Sequence, residues 1–105
     1  GTLGRIEHGW LARPDLVAVD NPHNPRHYLG NCWLDSLVHE PRMLEYIMEL
    51  MGPKRICLGT DYPFPLGEDI PGALIHGLNI DTELKADMLH RSALEWLNMP
   101  MSAFR

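Results

Sequence analysis

The chain has 105 residues, 45% hydrophobic and 22% charged, with a net charge of −5. That length suits one small domain, and an acidic balance without a basic stripe argues against nucleic acid as a partner. No apolar run approaches the roughly 18 residues of a membrane span, and no basic start leads into an apolar stretch, so neither a transmembrane helix nor a signal peptide is expected.

The first pattern predicts a helix over 2–11, ended by Arg13-Pro14 because a residue before proline avoids the helical region. Residues 14–31 hold Pro14, Pro22, Pro25 and Gly30 with Asn21 and Asn24, which predicts a long excursion with one short helix around Pro25–Leu29. Long loops of this kind are usually functional or lie at an interface. A strand is expected over Cys32–Val38. Pro41 then suits the first position of a helix on which Leu44, Ile47, Met48 and Met51 recur at helical spacing, and Gly52-Pro53 stops it.

A second strand is expected over Arg55–Thr60. Strand alternation puts Cys57, Gly59 and Asp61 on one face, and Ile56 and Leu58 on the other. A short helix is expected within 70–78. Asp81 is placed to cap a longer one that buries Leu84, Met88, Leu89, Ala93, Trp96 and Leu97, and Pro100 ends it. Residues 101–105 form a tail. Strands alternating with helices imply a parallel sheet.

The most informative stretch is Ile56-Cys57-Leu58-Gly59-Thr60-Asp61-Tyr62-Pro63-Phe64-Pro65-Leu66-Gly67-Glu68. An apolar run rises to a bare Gly-Thr pair and ends on a carboxylate, after which proline and glycine turn the chain away. A barrel strand delivers a functional side chain to the mouth of an active site in this manner. The two cysteines, Cys32 and Cys57, lie in predicted strands and are expected to be buried free thiols of a reducing compartment. Of the six histidines, His23 and His27 read as surface imidazoles and His8 as a packed or interface residue. Met43, Met48, Met51 and Met88 read as core filler.

Several segments together resemble one family. They are Gly4-Arg5-Ile6-Glu7-His8-Gly9-Trp10 leading into Arg13-Pro14-Asp15-Leu16, and Asp20-Asn21-Pro22-His23-Asn24-Pro25 leading into Tyr28-Leu29-Gly30. Asp35-Ser36-Leu37-Val38-His39 and Gly59 through Glu68 follow in the same order. They are similar to the carboxy-terminal third of the 2-amino-3-carboxymuconate-6-semialdehyde decarboxylase family, in the amidohydrolase superfamily. The resemblance covers nearly the whole chain.

The resemblance implies an α/β fold: the C-terminal portion of a (β/α)8 barrel, with about two parallel strands and flanking helices, residues 1–105 forming one partial domain. A complete barrel needs about 250 residues, so the remainder is expected ahead of Gly1. The implied activity is a zinc-dependent decarboxylation of an acyclic intermediate of tryptophan (kynurenine) degradation, carried out in the cytoplasm by a dimer. Asp61 corresponds to a zinc-binding, catalytic aspartate. Arg5 corresponds to an arginine that holds the substrate carboxylate across the dimer interface, and Phe64 to an aromatic lining the pocket. The expected partners are a small-molecule carboxylate substrate and either a second copy or the rest of the barrel, with no nucleic acid and no membrane.

The family's His-x-His pair, third histidine ligand and acid/base histidine are absent from these residues, so the isolated chain is expected to be inactive. Where the superfamily often has Gly-Asn-Ala, this chain has Arg91-Ser92-Ala93. Two other readings stand beside the first: a truncated interaction or regulatory subunit, and a related decarboxylase of aromatic acids.

Overall fold

A computed structural model describes residues 2–104, so Gly1 and the last residue of the tail, Arg105, lie outside it. The chain divides into two compact units, Gly1–Cys32 and Trp33–Arg105.

In the first unit, helix α1 spans Leu3–Ala12 and closes where the Arg13 N–H donates to the Gly9 carbonyl. Pro14 then begins a second short helix, α2 (Pro14–Val17), in a stretch where the sequence pattern predicts loop. Proline at a first helical position loses nothing, because that N–H has no partner in any helix. A bidentate pair between the Arg13 guanidinium and the Asp15 carboxylate, at 2.9 and 2.6 Å, braces the junction. The short helix expected near Pro25 is a 3₁₀ segment, Pro25–Asn31, capped by the Asn24 side chain, which accepts the Arg26 N–H at 2.9 Å. Both α2 and this segment pack on α1.

The second unit is built on a parallel pair, β1 (Leu34–Asp35) and β2 (Ile56–Cys57), with Leu34 opposite Ile56 and Asp35 opposite Cys57. Helix α3, Pro41–Met51, crosses between them. It starts on Pro41 and stops at Gly52, whose φ of 84° only glycine adopts freely. Both strands are shorter than the predicted 32–38 and 55–60, because among the described residues each has only the other as a neighbour. A strand extends only as far as its partner supplies donors and acceptors. Cys32 accordingly ends the 3₁₀ segment instead of lying in a strand, and it is exposed. Cys57 is half-buried, and both thiols are free.

Past β2 come α4 (Ala73–Gly77) and one long helix running from Thr82 to Leu97. Asp81 caps the latter as its sequence position predicts, accepting the Glu83 N–H at 2.7 Å. The helix contains a π-helical turn, Asp87–Arg91, between α5 (Thr82–Ala86) and α6 (Ser92–Leu97). A 3₁₀ turn, Met101–Phe104, follows.

Leu44, Ile56, Ile75, Leu78 and Met88 are the buried apolar core, with Ile47, Met48, Leu58 and Leu89 packed around it. Fully burying one such side chain stabilises by about 1.5–3 kcal/mol. Ile56 and Leu58 therefore face this core, as strand alternation predicts. Met43, Trp96 and Leu97 do not join it: they lie on outer helix faces and are exposed.

Candidate active site

The turn that follows β2 is held by its own backbone. The Asp61 carbonyl accepts the Phe64 N–H at 2.8 Å, the Phe64 carbonyl accepts the Gly67 N–H at 2.9 Å, and the Thr60 carbonyl accepts the Glu68 N–H at 2.9 Å. The chain leaves and returns at Thr60–Asp61 within this loop, which includes a cis Tyr62–Pro63 bond. Gly67 makes the return possible: a Cβ there would stand 2.5 Å from the Thr60 carbonyl oxygen.

Asp61 itself has a φ of 55°. The left-handed region costs a non-glycine residue about 1–2 kcal/mol, less for aspartate, whose short polar side chain is tolerated there. The locked backbone offsets that cost and turns the Asp61 carboxylate out to solvent just beyond the strand. Phe64 rides on the same turn with its ring exposed. The structure thus brings Asp61 and Phe64 together.

Beneath the turn, Ser36 stitches β1 to β2. Its N–H donates to the Cys57 carbonyl at 2.9 Å, and its buried hydroxyl accepts the Gly59 N–H at 3.3 Å. Asp35 lies against Gly59, where a Cβ would approach its own Cβ to 2.7 Å, so only glycine fits. The Asp35 carboxylate accepts the Leu37 N–H at 2.9 Å. Burial pushes the Cys57 thiol above its ordinary value, and the Asp35 charge adds to that shift.

The Glu68 carboxylate accepts the Gly72 N–H at 2.7 Å and the Leu74 N–H at 2.9 Å at the start of α4. Neither Ser36 nor Glu68 is singled out by sequence pattern.

In the first unit, Arg5 lies on an exposed face of α1, along a groove of about 980 Å³ that Ile6, Trp10, Val17, His23 and Tyr28 also line. Glu7, the acid nearest it in sequence, is engaged elsewhere. It accepts from Arg26 Nε at 2.8 Å and Asn24 Nδ2 at 3.1 Å, and these bonds, Arg26 first, hold its carboxyl below the ordinary range. The His23 and His27 rings lie 4.5 Å apart and are exposed. His8 is exposed too, so of the packed or interface position expected for it the structure excludes packing within its own unit.

A zinc site generally takes three or four protein donors. Among the described residues no group of three His, Cys, Asp or Glu side chains stands close enough to hold a metal ion. The outward Asp61 carboxylate has the chemistry of one such donor.

The amidohydrolase family profile matches residues 6–99, and the chain belongs to that family. Asp61 and Phe64 fall inside the matched span, and Arg5 lies one residue before it. Within the family, the chain is 54% identical over 99 residues to a 2-amino-3-carboxymuconate-6-semialdehyde decarboxylase of Dictyostelium discoideum, covering 93% of this chain and 28% of that protein. It is 40% identical over 97 residues to the decarboxylase of the same name from Caenorhabditis elegans, covering 91% of this chain and 24% of that protein. The chain therefore spans about a quarter of the length of these curated relatives.

Proposed function

We propose that these residues are the closing part of a (β/α)8 barrel decarboxylase acting on 2-amino-3-carboxymuconate 6-semialdehyde in tryptophan degradation. The observation that carries this reading is the presentation of Asp61: a carboxylate in a strained, backbone-locked turn just beyond a parallel strand, within a segment 54% identical to a decarboxylase of that name. In open and closed parallel sheets alike, the carboxyl ends of the strands are where ligands bind.

Asp61 would offer a carboxylate oxygen to a divalent metal, zinc, alongside histidines outside these residues. A bound zinc ion supplies Lewis-acid polarisation. The second oxygen of Asp61 is free to accept and return a proton at the reacting centre. Arg5 presents a planar fork whose paired N–H groups match a carboxylate, which suits an acidic substrate; in a homodimer it serves the neighbouring subunit's site. Phe64 forms part of the pocket wall. The enzyme works in the cytoplasm, and the 105 residues alone, with one metal donor, do not turn over substrate.

A second reading is a non-catalytic subunit that associates with a full-length homologue. Adding the chain to active homologue separates the two readings, since unchanged activity and subunit mass sink the second.

The first reading is tested by substitution in the complete protein. Asp61→Asn is expected to lose bound metal and to cut kcat at least about a thousandfold. That loss is on the scale seen for removal of one key electrostatic group. Arg5→Ala is expected to retain metal and to lower kcat/KM about a hundredfold, the cost of a lost charge-assisted pair of hydrogen bonds. An active, fully metallated Asp61→Asn enzyme removes Asp61 from the site, and normal kinetics in Arg5→Ala removes Arg5.

A further inference from the structure

The backbone bonds within residues 60–68 close the turn on itself, but they do not anchor it to the rest of the unit. Two contacts do. One is the Ser36 hydroxyl on the Gly59 N–H, at the turn's entry. The other is Glu68, at its exit. Through its own N–H, Glu68 is bonded to Thr60, the residue before Asp61. Through its carboxylate it accepts the Gly72 and Leu74 N–H groups, at 2.7 and 2.9 Å. One residue therefore grips the backbone beside Asp61 with its main chain and the start of α4 with its side chain. Helix α4 is in turn fixed by Ile75, which is fully buried in the core.

Two chemical details make this grip specific. A carboxylate accepts both N–H bonds at once because each oxygen carries free lone pairs and no proton. Gly72, at a φ of 82°, directs its N–H toward Glu68, and a Cβ there would meet the Leu89 side chain at 2.8 Å. Removing the Glu68 carboxylate leaves the Gly72 and Leu74 N–H groups without their acceptor and leaves, among the described residues, the Ser36–Gly59 hydrogen bond to tie the Asp61 turn to its unit.

We infer that Glu68 is a positioning residue for Asp61: its carboxylate, clamped on the Gly72 and Leu74 N–H groups, anchors the backbone-closed turn to the start of α4 and so fixes where Asp61 is presented. The functional half of this inference rests on the assignment of Asp61 as a metal donor. Partners that orient a ligand without touching the metal are typically worth tenfold to a hundredfold in metal affinity.

The test has two parts. In the 105-residue chain, amide hydrogen exchange is followed at Phe64, Gly67 and Glu68, well below the unfolding midpoint. Glu68→Ala is expected to speed exchange at all three, with the core amides of α3 unchanged. In the complete protein, zinc affinity is measured by competition with a chromophoric chelator. Glu68→Ala is expected to weaken it about tenfold to a hundredfold. Glu68→Gln, which keeps one acceptor oxygen, is expected to fall between wild type and alanine, and it stands in if the alanine variant does not fold. A purely structural role predicts a lower unfolding midpoint with exchange at those amides and zinc affinity unchanged, and that result overturns the inference. Asp61→Asn is the reference. If it keeps zinc, the metal-donor assignment fails, and the exchange data alone decide whether Glu68 holds the turn. If it loses zinc while Glu68→Ala binds as wild type, the assignment stands and the inference falls.

Discussion

The two units are stabilised by different means. Every buried side chain among the described residues lies in the second unit, where Leu44, Ile56, Ile75, Leu78 and Met88 exclude water completely or nearly so. Among the described residues of the first unit none is fully buried; Ile6, Leu11, Leu16, Val17 and Val19 are exposed, and polar ties from Glu7 to Arg26 and Asn24 join its helices. Hydrophobic burial scales with apolar area removed from water, whereas an exposed ion pair contributes about 0–1 kcal/mol. The second unit therefore carries the chain's stability.

The comparison is tested most severely by matched core substitutions. Leu44→Ala is expected to destabilise by about 2–5 kcal/mol, while Ile6→Ala changes stability by no more than about 0.5 kcal/mol in this chain, both read from denaturant unfolding. Equal losses would mean that the first unit has a core of its own.

Glycines sharpen the contrast, because the sign differs. Gly67→Ala forces a Cβ to within 2.5 Å of a backbone oxygen, and is expected to cost about 1–3 kcal/mol and to open the Asp61 turn. Gly4, in α1, has nothing within 4 Å of its Cβ position, so Gly4→Ala is expected to stabilise by about 0.5–1 kcal/mol. Thermal unfolding of the two variants reads both signs.

The smallest effect is electrostatic. Arg26 and Asn24 depress the Glu7 carboxyl below its ordinary 4.5, so the folded form binds that proton less readily than the unfolded one. Stability from Glu7 is thus present above the ordinary value and lost as pH falls through the depressed one. Glu7→Gln is expected to remove that small contribution at neutral pH and leave the acid end nearly unchanged, so that helical stability falls less steeply on acidification. An identical acid limb in both proteins would show that the Glu7 contacts do not hold the unit together.

Much of this was legible in the residues. Pro41, Gly52 and Asp81 each act locally, through a fixed φ, a permitted positive φ and a side-chain acceptor, and each sits where its chemistry requires. What was legible of Asp61 was its place: an acid after an apolar run and ahead of Pro and Gly, at the end of the second strand segment. The exposure of Trp96 and Leu97 was not legible, because helical spacing names a face without saying how far the neighbouring elements reach along it. The expected burial of Cys32 failed for a related reason: pairing length depends on a partner strand. Ser92, where the superfamily often has asparagine, is buried with its hydroxyl unpartnered, and nothing in the structure explains it.

Sequence alone determined the alternation of strand and helix, the family, and the residue offered at the strand's end. Those follow from local backbone preference and hydrophobic period, which act within a few residues. Tertiary structure decided what holds that residue. Ser36 reaches Gly59 across 23 positions, and Glu68 reaches back to Thr60 and forward to Leu74. Such contacts depend on where the core brings the chain back upon itself, which no local pattern encodes.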